Sequence, residues 1–143
     1  MSDEIKRKVE LWLCAEMKHA IAGSRAVPSK GGDANNPADA PEPPFTYVKV
    51  TECDEVDDGI YQVEVKIARV SHIDETTSPQ HSAQVAQFHE ALRGLLSARG
   101  CYEPLQLYIN GIVFAPKKSN EEIEDAEEQA HGDVFTMVMG VSG

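Results

Sequence analysis

The chain has 143 residues, of which 41% are hydrophobic, and carries 24 acidic against 13 basic side chains for a formal net charge of −11. That length suits one domain (1–143) whose core needs no disulfide or metal staple. The charge excludes the basic footprint on which a grip on DNA or an anionic membrane depends.

Cys14, Cys53 and Cys101 are an odd number at wide spacing, neither a disulfide framework nor a zinc pattern, and they suit a reducing cytoplasm. The acidic start, Met1-Ser2-Asp3-Glu4, does not read as a signal peptide. No apolar run approaches the roughly 18 residues of a membrane span.

In chain order, Ser2 caps a helix predicted over about 3–22. Ile5, Val9, Trp12, Leu13 and Ile21 share one face, Lys6, Lys8, Glu10 and Lys18 lie elsewhere, and Gly23 is the stop. Trp12 and its stripe favour packing on the chain's own sheet over packing on a neighbouring copy. Residues 24–44 follow as a long Pro-rich loop or arm, holding Pro28, Pro37, Pro41, Pro43 and Pro44 and almost no apolar bulk.

The period then changes to two. Phe45–Val50 reads as a strand, Asp57-Asp58-Gly59 as a hairpin turn, and Tyr61, Val63, Val65 and Ile67 as the apolar face of a second strand. Ser78-Pro79 predicts a helix start with Ser78 as N-cap. Val85, Phe88, Leu92, Leu95 and Leu96 form its buried stripe, and Gly100 its end. Leu105, Leu107 and Ile109 alternate in a third strand, Asn110-Gly111 marks a bulge or turn before Ile112-Val113-Phe114, and a last strand spans about Val134 to Val141. The order α-β-β-α-β-β predicts an α+β fold: a two-layer sandwich with a mostly antiparallel four-stranded sheet and helices packed on one face.

Before the last strand, residues 119–133 read as an acidic loop with seven carboxylates and no Lys or Arg. Three readings fit it. One is a solvated loop; another is a calcium site, against which the missing Asp-x-Asp-x-Asp-Gly spacing counts. The third is a surface that repels a passing polyanion. Other chemistry is sparse. His81 and His89, eight residues apart, read as surface histidines flanking the stripe in preference to a shared metal site. His72 and Asp74 offer a general base in a loop but lack a nucleophile. No catalytic residue, cofactor or metal ligand is assigned, and no enzyme activity is expected.

Four pieces together resemble a phage family: the strand Pro44–Val50, the strand end Ser71-His72-Ile73-Asp74, the helix pattern His81…Val85…Phe88…Leu92…Leu95, and the strand Asp133–Met139. In pattern, about 44–141 and the leading helix are similar to the tail terminator and tail completion proteins of long-tailed phages. The resemblance implies a structural virion protein, assembled in the host cytoplasm, whose copies close into a hexameric ring that caps the tail tube and joins it to the head. Its implied partners are its own copies, the tail tube protein and the head–tail connector proteins. DNA would pass through the lumen without specific binding, and no membrane is involved. Glu121, Glu122, Glu124, Asp125, Glu127 and Glu128 then become the expected lumen or axial acidic surface. The rival reading from another class is a small acidic chaperone, usually dimeric, that holds an unfolded client.

Overall fold

The computed structural model describes residues 2–18, 20, 26–28, 44–125 and 130–143. Helix α1 spans Ser2–Met17, with Asp3 and Glu4 in its first turn, where carboxylates offset the helix dipole. Ile5, Val9, Trp12, Leu13 and Met17 recur at helical spacing and are all buried. The helix ends at Met17, short of the predicted 22; Ile21 and Gly23 lie outside the described residues.

The predicted four-stranded two-layer sandwich is incorrect. The sheet has six strands in the order β1-β2-β3-β6-β5-β4, and it is mixed, forming a half-barrel with two helices. The strands are β1 (Ala26–Pro28), β2 (Phe45–Asp57), β3 (Ile60–His72), β4 (Gly100–Tyr102), β5 (Leu107–Asp125) and β6 (Ala130–Ser142). The two extra strands are three residues each, too short to leave a period in the sequence. β1 falls inside the expected Pro-rich loop and pairs parallel with Thr46–Val48, while the rest of the ladder is antiparallel. Residues 24, 25 and 29–43 of that loop lie outside the described residues.

The β2–β3 hairpin turns where the sequence predicts. Gly59 takes φ +73°, which costs glycine little, and the Asp58 backbone N–H donates to Asp57 Oδ1 at 2.8 Å. β6 is the central strand, hydrogen-bonded to β3 over Ala130–Ser142 and to β5 on its other side. It begins at Ala130, before the predicted Val134. The expected acidic loop is therefore, over 119–125 and 130–133, the paired end of a long β5–β6 hairpin, because the ladder satisfies backbone groups whatever the side-chain charge.

One face of the sheet carries the main core. Val48, Val50, Tyr61, Val63, Val65, Ile67, Phe135, Met137, Met139 and Val141 meet the buried side chains of α1 and of helix α2 (His81–Arg93). Phe88 of α2 packs on Phe135 with ring centroids 5.5 Å apart. A smaller apolar cluster of Val27, Phe45, Tyr47, Ala68, Val70, Ala130 and Val134 lies on the other face, as strand alternation requires.

The α2 start differs from the prediction. Ser78 Oγ accepts the Gln80 N–H at 3.2 Å in the preceding turn, and the helix opens at His81. Phe88, Leu92 and Leu95 are buried as the stripe requires, but Leu96 lies in a 3-10 turn (Gly94–Ser97) and is exposed. No helix among the described residues is long and apolar enough to cross a membrane.

Candidate functional site

Two features of the β5–β6 hairpin stand out: its outer edge and a polar cluster at its base under α2. β4 covers only Leu107–Ile109 of β5. Beyond Asn110 the outer edge of β5 has no strand partner among the described residues, and such an edge presents free N–H and C=O groups to another chain. The same stretch exposes apolar side chains. Val113 is 50% exposed and Phe114 64%, while Tyr108, 47% exposed, lies before them in the part that β4 covers. Phe114 stands opposite Val138, on the sheet face away from the helices.

The edge is also bent. Register shifts occur at Ile109/Gly111, Ile112/Phe114, Phe114/Lys117 and Lys118/Glu122, and each bulge adds local twist. Gly111, at φ +149°, occupies the first, a backbone conformation that strains any residue with a side chain. Pro116, which has no N–H for a ladder, sits among the shifts, and its carbonyl accepts from His89 Nε2 at 2.7 Å. A carbonyl only accepts, so this contact fixes the proton on Nε2 of His89.

Of the expected acidic surface, Glu122, Glu124 and Asp125 are placed by register opposite Asp133, His131 and Ala130, and Glu121 lies in the adjoining bulge. The side chains of these four residues, and Glu127 and Glu128 entirely, lie outside what is described.

The polar cluster continues the helix-facing side of the sheet beyond its apolar part. Strand alternation puts His131 and Asp133 two residues apart on that face, and α2 brings its first residue, His81, over them. Asp133 is 3% exposed. Its Oδ2 is 3.5 Å from His81 Nε2, and its Oδ1 is 3.5 Å from His131 Nε2 and 3.6 Å from Lys118 Nζ. Arg69, buried on β3 opposite Asp133, directs its guanidinium to Ser71 Oγ at 3.3 Å and Gln84 Oε1 at 2.9 Å. The histidine pair singled out from sequence is not brought together: His89 packs on Phe135 at 5.1 Å, and the neighbour of His81 is His131 instead. The signal available beforehand was the spacing His131-Gly132-Asp133 on a strand.

His72 and Asp74 are both exposed, and among the described residues no hydrogen bond or ion pair joins their side chains. Neither lines the open cavity of about 330 Å³ between α1 and the segment before β5, which is bounded by Trp12, Glu16, Leu95, Arg99, Cys101 and Tyr102.

No family model and no curated protein matches the chain. Among solved structures, 19 chains match. One belongs to a structure titled "Virion of native gene transfer agent (GTA) particle"; the likeness covers 98% of this chain and 94% of that one, at 18% identity and a TM-score of 0.40.

Proposed function

We propose that this chain is a structural subunit of a phage-like particle, a tail terminator or completion protein whose copies join edge to edge in a ring, and that it catalyses no reaction. The observation that carries the reading is the uncovered β5 edge beyond Asn110 with Val113 and Phe114 exposed beside it. A long edge flanked by apolar side chains is aggregation-prone unless a partner covers it, and a heterologous contact between identical copies closes into a ring when the rotation allows. The sequence resemblance supplies the finer expectations: a hexamer on the tail tube, contact with connector proteins, a place in the virion's tail or neck, and a lumen past which DNA slides. At 18% identity and a TM-score of 0.40, the likeness to the gene-transfer-agent chain carries no weight here.

The test is solution mass by light scattering together with negative-stain microscopy of the 15.7 kDa chain, alone and with tail tube protein. A ring with a central hole supports the reading, as does a ring that forms only on the tube. Phe114→Asp is expected to abolish the ring while leaving the far-UV circular dichroism unchanged. A stable dimer that keeps an unfolded client soluble, with no ring under either condition, replaces the reading with the chaperone.

A further inference from the structure

We propose that His81, His131 and Asp133 form a zinc site, independent of the assembly reading. The three potential ligand atoms lie within 4.8 Å of one another. Each histidine Nε2 stands 3.5 Å from a carboxylate oxygen of Asp133, His81 from Oδ2 and His131 from Oδ1. That is long for an N–H···O hydrogen bond, whose usual range is about 2.7–3.2 Å. Whichever oxygen ligates, its contact matches one edge of a tetrahedron, since donors bound at about 2.0–2.2 Å from zinc stand roughly 3.3–3.5 Å apart.

A second observation points the same way. Asp133 is 97% buried by its 3% exposure, yet its Oδ2 accepts no hydrogen bond among the described residues. A dry, unpaired carboxylate oxygen is costly, and a cation at the centre of the three donors offsets that cost. The two rings meet edge-on, with centroids 5.9 Å apart at 68°, and are not stacked. Three protein donors leave a tetrahedral ion one position for water.

Two cations stand nearby, and each has a definite role. The Arg69 guanidinium is held towards Ser71 and Gln84. Lys118 approaches Asp133 Oδ1 from a side chain 37% exposed, so it supplies countercharge to the metal-free site and withdraws to solvent when zinc enters. The lysine and the ion therefore compete for the same carboxylate.

The experiment uses chelator-treated full chain, titrated with Zn²⁺ against a chromophoric competitor and with Co²⁺ followed by its visible absorption. One ion per chain is expected, with tetrahedral cobalt bands and a raised melting temperature. His81→Ala, at the accessible end of the cluster, should keep native circular dichroism and lose at least about tenfold in affinity, the size usual for a disturbed metal shell. Should the alanine variant not fold, His81→Gln is read in its place. Lys118→Met should tighten zinc by about tenfold, as loss of a unit charge near 4 Å predicts. Cys101→Ser controls for the exposed thiol and should change nothing. The proposal is overturned by the absence of stoichiometric uptake at about 10 μM zinc, where structural sites are saturated. It is equally overturned by a folded His81 variant that binds zinc as tightly as the unaltered chain.

Discussion

Glu10 shows how a residue on the wrong side of a helical wheel becomes structural. Its spacing puts it off the α1 stripe, yet it is buried, and its Oε2 accepts the Val50 backbone N–H at 2.9 Å. Among the described residues β1 pairs with β2 as far as Val48, and this carboxylate satisfies an amide two residues beyond. Burial pushes its pKa up from 4.5 to about 6, against the Val50 hydrogen bond and the charges of Arg7, Lys49 and Lys6. The folded form thus holds this proton more tightly than the unfolded chain, so the stability that Glu10 contributes is fully present below about pH 4.5 and is lost as pH rises through about 6. Glu10→Gln keeps the acceptor and loses the ionisation cost. It should stabilise the protein by on the order of 1 kcal/mol at pH 7–8 and by almost nothing near pH 4, read from urea melts at both. Glu10→Ala strands the Val50 N–H and should destabilise by about 1–3 kcal/mol instead. The thiols differ for the same reason. Burial first, then the Glu10 carboxylate, pushes Cys14 up to about 12, whereas Cys101 is exposed. Alkylation follows the thiolate, so mass spectrometry after brief iodoacetamide treatment of the native protein should find Cys101 modified and Cys14 intact. Nothing in the helical period of α1 announces Glu10, because its partner is a backbone amide forty residues away.

Among the elements, β6 holds the rest together, since it is hydrogen-bonded along both sides and lies under α2. Phe135, fully buried between Phe88 and His89, sits at its centre. Phe135→Ala should cost about 3–5 kcal/mol, measured by chemical denaturation, because the surrounding rings and strands cannot collapse into the void. The sequence made the apolar half of this strand plain: Phe135, Met137 and Met139 alternate, as do Tyr61, Val63, Val65 and Ile67 beside them in β3. Its first four residues were not legible, because the carboxylates before Asp133 resemble a solvated loop while the pairing there depends on backbone groups that carry no sequence signal. α2 was legible in its stripe but not in its first turn, where Ser78 caps a bend and His81 is left facing β6. With the helix opening two residues later than predicted, at His81, that side chain meets His131 and Asp133 about fifty residues further along the chain.

For the whole molecule, charge and edge make opposed contributions to association. Each copy carries a net charge of −11, so copies brought together in the proposed ring would repel one another. The contact available to join them is apolar and backbone in character, formed by the β5 edge with Val113 and Phe114, and neither hydrogen-bonded ladders nor buried apolar area weakens appreciably with ordinary salt. Raising ionic strength shortens the screening length from about 30 Å at 0.01 M to about 10 Å at 0.1 M, which removes repulsion between neighbouring copies and leaves the attraction in place. Self-association should therefore strengthen as sodium chloride rises from about 0.01 to 0.15 M, seen in sedimentation velocity as growth of the assembled boundary at fixed protein concentration. Assembly held by complementary charge would respond with the opposite sign, and a ring that dissociates on adding salt would place the contact elsewhere than on this edge.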